Sequence, residues 1–334
     1  MAEKLFRVAL REALDEELGH DDRVYLMGEE IGTFGGSYRV TEGLLDKYGP
    51  MRVVDTPISE EGFVGAAIGS AMSGLRPVVE LMTVNFSLIA FDQIVQNAAK
   101  ARYMFGGEVT VPLVLRMPGG AGHQLSSQHS HSFESLYGSI PGLVVIAPTS
   151  PEDAKGMLKA AIRDDNPVIF LESMSLYNLR GEVPDEEYVT PIGRAAVRRE
   201  GSDLTVIGVS RQAVLAGIAA EKLAEEGVDA EVIDLRTIRP LDWEPLVASV
   251  SKTTRCLVVE EGWATYGVGA EVAAGIQERC FDYLDAPVLR LGGAEVPMPY
   301  NQQLEKAAIP SADDIVRVAL EAVGKNGSNG AGGH

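Results

Sequence analysis

Glu60 and Glu61 open the run Glu60-Glu-Gly-Phe-Val-Gly-Ala-Ala-Ile-Gly-Ser70, in which Gly62, Gly65, Ala66, Gly69 and Ser70 keep one helical face small. A carboxyl group at such a start is open to close approach by a ligand or another backbone. The plain alternative is structural: Ser59 caps the helix and the two acids complement its dipole. A second set lies in the Gly-rich loop from Gly119 to His131, which carries His123, His129 and His131, three of the five histidines. Imidazoles grouped on a loop after a strand have few reasons to be there as core packing and mark a site. No Asp, Glu or Cys at useful spacing completes a metal set there. Phe86 stands where a strand passes into a helix, and is either a flat apolar platform for a planar ring or an ordinary core aromatic.

These groups need a scaffold, and the hydrophobic pattern supplies one. Val24–Met27, 52–54, 77–81, 111–115, 143–147 and 167–171 are short β-branched runs of the kind that form buried parallel strands. Between them Phe91, Ile94, Val95 and Ala98, then Ala154, Met157, Leu158 and Ala161, repeat at helical spacing. Leu5, Ala9 and Ala13 with Phe6, Leu10 and Leu14 place the N-terminus directly in a helix. The alternation predicts an α/β fold of two domains with mainly parallel sheets. The first domain is expected over residues 1–186, with the polar, Pro-containing stretch from Leu179 to about Pro191 as linker. The second spans 187–324, with strands near 204–209, 230–234, 256–260 and 287–290 and helices near 212–226 and 269–281. Residues 325–334 offer little to bury and are expected to be a flexible tail.

The 334 residues are 46% hydrophobic and carry 29 basic against 48 acidic side chains, a net charge of −19. So acidic a chain is a poor partner for nucleic acid and a fair one for a basic protein. No run reaches the ~18 apolar residues of a membrane span. Cys256 and Cys280 form no C-x-x-C pair, and the N-terminus lacks an apolar or Arg/Ser-rich leader, so a cytoplasmic setting is expected. The run Gly267-Val-Gly269-Ala-Glu-Val272 places Val where a dinucleotide fingerprint requires its third Gly. P-loop, H-E-x-x-H and G-x-S-x-G motifs are absent.

In order along the chain stand Phe34-Gly-Gly-Ser-Tyr-Arg, Asp55-Thr-Pro-Ile-Ser-Glu60, Phe91-Asp-Gln-Ile, Gln128-His129-Ser130, Leu176-Tyr-Asn-Leu, Asp234-Leu-Arg-Thr-Ile-Arg-Pro240, Gly267-Val-Gly-Ala-Glu and Val296-Pro-Met-Pro-Tyr300. Together they make the chain resemble the beta subunit of the thiamine-diphosphate-dependent decarboxylase of 2-oxo-acid dehydrogenase complexes, most closely the pyruvate dehydrogenase type of bacteria and plastids. The resemblance covers about residues 5–323. It implies a transketolase-like pyrimidine-binding domain followed by a transketolase C-terminal-like domain. It also implies that Glu60 faces ring nitrogen N1′ of the cofactor, where a shared proton favours the imino tautomer whose N4′ takes the C2 proton. By the same resemblance Phe86 lies against the aminopyrimidine and His129 assists transfer to the lipoyl group. Glu29 matches an acidic position in a proton path between paired active sites. A potassium site maps onto Leu113, Ala161, Ile162, Asp164 and Asn166.

The superfamily's Gly-Asp-Gly segment for Mg²⁺ and diphosphate is missing from this sequence. The resemblance therefore implies an alpha subunit that supplies it, in an α2β2 heterotetramer acting on pyruvate and passing the acetyl group to the lipoyl domain of dihydrolipoamide acyltransferase. The second domain is expected to dock that enzyme's basic subunit-binding domain. Beta subunits of branched-chain 2-oxo-acid or acetoin dehydrogenases, a non-catalytic scaffold and a self-sufficient transketolase-like enzyme are the alternatives.

Overall fold

The computed structural model describes residues 1–325. The chain divides into two compact units, Met1–Gly193 with Thr237–Pro240, and Arg194–Arg236 with the chain from Leu241 onward. In chain order the strands are β1 (Ala2–Leu5), β2 (Val24–Gly28), β3 (Val53–Asp55), β4 (Arg76–Glu80), β5 (Val114–Gly119), β6 (Val144–Ile146), β7 (Val168–Ser173), β8 (Arg180–Val183), β9 (Ala196–Arg199), β10 (Leu204–Gly208), β11 (Ala230–Asp234), β12 (Thr237–Arg239), β13 (Cys256–Trp263) and β14 (Leu289–Gly293).

The first unit is built on a seven-stranded sheet of order β12-β6-β7-β5-β4-β2-β3. Every neighbouring pair is parallel except β12 with β6. Strands covered on both faces must be apolar throughout, and Val78, Val79, Leu115, Ile169 and Phe170 are all buried. The helices Phe6–His20 and Pro151–Arg163 pack together. Between them runs a row of ion pairs, Lys155 to Glu16 at 2.6 Å, Lys159 to Glu16 at 2.7 Å and Arg163 to Glu17 at 2.6 Å.

Two expectations change here. The N-terminus begins not in a helix but in β1, which pairs antiparallel with β8. Arg180–Val183 is therefore a strand of the first unit and not linker. Each partner is only four residues long and largely polar, so neither shows a hydrophobic period. The helix at Phe91 also departs from the regular pattern, because Gln93–Ala98 winds as a π-helix before α geometry resumes at Ala99.

The second unit has a five-stranded sheet of order β14-β13-β10-β11-β9, parallel except for β9. Its core joins Val206, Val232, Leu257 and Val259 to the helices Arg211–Glu225 and Ala312–Ala322 through Ala216, Ala220, Leu223, Ile315 and Ala319. Cys256 and Cys280 are buried free thiols. The expected tail lies outside the described residues apart from Lys325, whose Nζ donates to the Glu226 and Gly227 carbonyl oxygens at 2.9 Å. Among the described residues no helix is long and apolar enough to cross a membrane.

Candidate active site

Buried polar atoms without hydrogen-bond partners locate the site without reference to any motif. Native interiors pair nearly all such atoms, so a group of exceptions calls for a ligand, water or strain. Among the described residues the exceptions are Glu29 Oε1, Thr56 Oγ1, Thr83 Oγ1, Asn85 Oδ1, Ser130 Oγ, Ser173 Oγ and Gln212 Oε1. All but Gln212 belong to the first unit, at or just beyond the carboxyl ends of β2, β3, β4 and β7 or, for Ser130, in the loop that follows β5. Crevices at the carboxyl ends of parallel strands are where α/β sheets hold their ligands.

Glu29 follows β2 directly, and Glu60 begins the helix Glu60–Met72 that follows β3. Both are almost fully buried, at 4% and 3% exposure. Burial, and secondarily the Glu60 charge beside it, push the Glu29 carboxyl up to about 7. Glu29 therefore lies within electrostatic reach of Glu60, and its own carboxyl takes up or releases a proton near neutral pH. Ser59 makes no side-chain cap, contrary to the structural alternative. Beyond the helix start, Gly62, Ala66 and Gly69 lie on the exposed side, so the small-residue face is uncovered within this chain.

The loop after Glu29 is held by backbone donation to Asp55, from Gly32 N at 2.6 Å and Thr33 N at 3.4 Å. Gly36, at φ +78°, lies so close to Glu80 that a Cβ would come 2.7 Å from Oε1. Glu80 in turn meets Arg116 Nη1 at 2.5 Å, while Arg116 makes a bidentate contact with Glu172 at 2.7 and 2.8 Å. Tyr177 donates to Glu172 at 2.6 Å and stacks on Tyr38 at 4.7 Å. One guanidinium thus joins three central strands, the Tyr38 loop and the turn leading to Phe86. Burial, opposed by Arg116, raises the proton affinity of Glu80.

Phe86 and His129 meet edge to face, with ring centroids 5.3 Å apart at 89°. His131, two residues on, accepts at Nδ1 from Asn85 Nδ2 and stacks on Phe133 at 4.7 Å. His123 is exposed. The histidine loop is thus matched to the turn after β4 residue by residue, 131 to 85 and 129 to 86. Among the described residues no group of three or more His, Cys, Asp and Glu could hold a metal ion.

The five residues of the potassium set are close in the chain's fold, but their groups already have partners. Arg76 Nη1 donates to the carbonyl oxygens of Ile162 at 3.1 Å and Asp164 at 3.0 Å. Leu113 O accepts from Val168 N at 2.8 Å, and Ala161 O from Asp164 N at 3.3 Å. Asn166 Nδ2 donates to Asp164 Oδ1, and its own Oδ1 accepts from Arg102. An apolar groove of about 1120 Å³ opens beside Asn166, lined by Val95, Tyr103, Met104, Ile140 and Pro167, and includes none of Glu29, Glu60, Phe86 or His129.

Sequence reasoning passed over Glu80, Arg116, Glu172 and Asn85. The first three did leave a signal: each is a charged residue within or at the end of a mostly apolar run, where it must find a partner or a use. Asn85 left none, because a single amide in a turn is commonplace.

The chain matches the family described as transketolase, pyrimidine binding domain, over residues 3–180, and transketolase, C-terminal domain, over 193–315. It is 51% identical to the pyruvate dehydrogenase E1 component subunit beta of Dictyostelium discoideum over 324 residues, 96% of this chain and 91% of that one. It is 52% identical to subunit beta-1 of Arabidopsis thaliana, covering 96% and 89%, and 50% identical to the Rickettsia felis subunit, covering 93% and 95%. Among solved structures it resembles a split gene transketolase, inactive beta4 tetramer, with a TM-score of 0.79 over 96% of this chain and 98% of that one at 22% identity, a likeness of fold. With that fold, and with half its residues shared along nearly its whole length, the chain belongs to the family of pyruvate dehydrogenase E1 component beta subunits.

Proposed function

We propose that this beta subunit provides the pyrimidine side of a thiamine diphosphate site that an alpha subunit completes with Mg²⁺ and the diphosphate contacts, in an α2β2 assembly that oxidises pyruvate. One observation carries the reading: the group of buried, unpartnered polar atoms at the carboxyl end of the first sheet, with the buried acids Glu29 and Glu60, close enough to influence one another, beside it. These residues fit an aminopyrimidine, a flat heterocycle with donors and acceptors on its rim. When bound, thiamine diphosphate supplies the electron sink that decarboxylation of a 2-oxo acid requires.

The chain's own residues then have distinct tasks. Glu60 holds the proton facing N1′. Glu29, with its raised proton affinity, stores or relays a proton beside it. Phe86 gives an apolar wall that orients the ring, and His129, fixed against Phe86, gives or takes a proton as the acetyl group passes to a lipoyl sulfur. The acidic surface suits docking of a basic subunit-binding domain of the acyltransferase. A potassium ion at Leu113, Ala161, Ile162, Asp164 and Asn166 would have to share two carbonyl oxygens with Arg76 or displace it, so potassium dependence should be tested alongside an Arg76 variant. A cytoplasmic setting agrees with two free thiols.

The test combines this chain with an alpha subunit and measures thiamine-diphosphate-dependent decarboxylation across pyruvate and branched-chain 2-oxo acids. Activity with pyruvate that requires both chains is expected. Tight binding of the whole cofactor by the isolated chain, or no activity in the mixture, would overturn the reading. In the active complex His129→Ala should impair acetyl transfer to lipoyl more than decarboxylation, and equal losses would remove His129 from that step.

A further inference from the structure

We propose that Asn85 is a binding residue of this site, its side-chain oxygen accepting a hydrogen bond from an N–H or O–H group of the bound molecule, and that His131 is the positioning residue that fixes the amide for this task. The inference rests on the functional reading above and adds to it a contact and a cause.

Asn85 is 7% exposed, sits in the turn after β4 and immediately precedes Phe86. A buried amide has two ends, and its orientation is set by whichever neighbour is the more demanding. Here that neighbour is the imidazole of His131, whose Nδ1 receives the Asn85 Nδ2 hydrogen. The ring cannot swing away. It is stacked on Phe133 at 4.7 Å and 19°, and its own backbone carbonyl accepts from Gly120 N at 2.8 Å. Gly119 leaves no room on that side either, since a Cβ there would lie 3.0 Å from the His131 carbonyl oxygen.

Burial lowers the proton affinity of His131 and favours the neutral ring, which accepts at Nδ1 in the tautomer that carries its proton on Nε2. With its NH₂ committed to the ring, Asn85 must turn its oxygen the other way, and that oxygen is buried and without a partner in the chain. An acceptor held in this manner discriminates. It favours a donor on the ligand and penalises an analogue that lacks one, because the amide oxygen would then stay unpaired.

Two molecules of the proposed reaction bring such a donor: the cofactor through its exocyclic amine, and the substrate side through a hydroxyl that forms as its carbonyl reacts. The experiment separates them in the complex with the alpha subunit, using calorimetric titration of thiamine diphosphate and the KM and kcat for pyruvate. Asn85→Ala should weaken one of the two by about tenfold, the scale of one lost hydrogen bond in a buried site. A loss in the titration assigns the contact to the cofactor. An unchanged titration with a loss in kcat/KM for pyruvate assigns it to the substrate side.

His131→Phe preserves the stack on Phe133 and removes the acceptor, so it should reproduce most of the Asn85→Ala effect without a matching drop in the thermal midpoint. His131→Gln, which restores an acceptor oxygen, should recover much of that loss. The double variant Asn85→Ala/His131→Phe should be no worse than Asn85→Ala alone. Additive losses, a His131→Phe complex that binds and turns over as the parent does, or failure of His131→Gln to improve on His131→Phe would overturn the proposal. If the parent complex neither binds cofactor nor decarboxylates pyruvate, it is the underlying functional reading that fails.

Discussion

Both units end their parallel strands in turns that lead to helix starts, and in each a glutamate stands at the critical point, yet the two ends are finished in opposite ways. In the second unit Glu260, on β13, reaches the start of the helix Val268–Cys280 and accepts from Val268 N at 2.8 Å and Gly269 N at 2.9 Å. Its carboxyl group takes the two N–H groups that a helix N-terminus offers to an anion. Gly267 and Gly269 are there to make room for it, since a Cβ at 267 would lie 2.3 Å from Oε1. In the first unit Glu60 is the opening residue of its helix and Ser59 gives no side-chain cap. Around it Glu29, Thr56, Thr83, Asn85, Ser130 and Ser173 each keep an unpartnered buried atom. The helix start after β13 is thus closed by its own glutamate and the end of the first sheet is left prepared, while the second unit keeps one unpartnered atom of its own, Gln212 Oε1. A carboxyl end becomes a site when its polar groups are left for something else to satisfy.

The largest effect expected from breaking this contrast is at Glu60. Glu60→Gln keeps the shape and a hydrogen-bonding end but removes the titrating proton. Decarboxylation by the complex with an alpha subunit should fall by about 10²- to 10⁴-fold, the usual worth of a positioned acid–base group. The unfolding midpoint should stay where it is. Near-parental exchange of the cofactor C2 proton in this variant would remove Glu60 from the role.

Glu260 offers the matching experiment in the closed end. Burial pushes its carboxyl up to about 7, against the pull of the Gly269 and Val268 N–H groups. The folded state therefore holds a proton that the unfolded chain releases near 4.5, and stability falls as pH rises between about 4.5 and 7. The loss across that window is roughly 3 kcal/mol. Glu260→Gln cannot ionise and should flatten this part of the profile. Both tryptophans, Trp243 and Trp263, lie in the second unit, so their fluorescence during urea unfolding follows that unit specifically. An unchanged pH slope in the variant would show that Glu260 is not the titrating group.

How far the sequence spoke for itself follows the same physics. Apolar runs such as 77–81 and 167–171 are local, and they became β4 and β7. Glu60 was visible because a pair of acids before a small-residue run is a local pattern too. The β1–β8 ribbon was hidden because its two strands lie far apart in sequence, Arg180 reaching Glu3 across 177 residues, and neither strand shows periodicity. Thr237–Arg239 joins the first sheet from within the sequence of the second unit, a pairing only the fold can make. The Glu80–Arg116–Glu172 network depends on three strands lying side by side, and its members looked like isolated charges until they did. The orientation of Asn85 depends on a histidine 46 residues away.

The smallest effect tests whether the glycines of the closed end exist for their own glutamate. Gly267 has φ −72°, which any residue adopts, so backbone strain does not require glycine there. What requires it is space: both carboxylate oxygens of Glu260 would lie 2.3 to 2.4 Å from an added Cβ. Gly267→Ala should therefore cost about 1–3 kcal/mol, the range for a methyl group forced into a packed site, read by urea unfolding with tryptophan fluorescence. If the clash with Glu260 is the whole cause, the same substitution in a Glu260→Ala background should cost much less, and the cycle yields a coupling of about 0.5–3 kcal/mol. Equal costs in both backgrounds would mean that Gly267 serves the turn and not the carboxylate, and the closed end would then be closed by backbone shape alone.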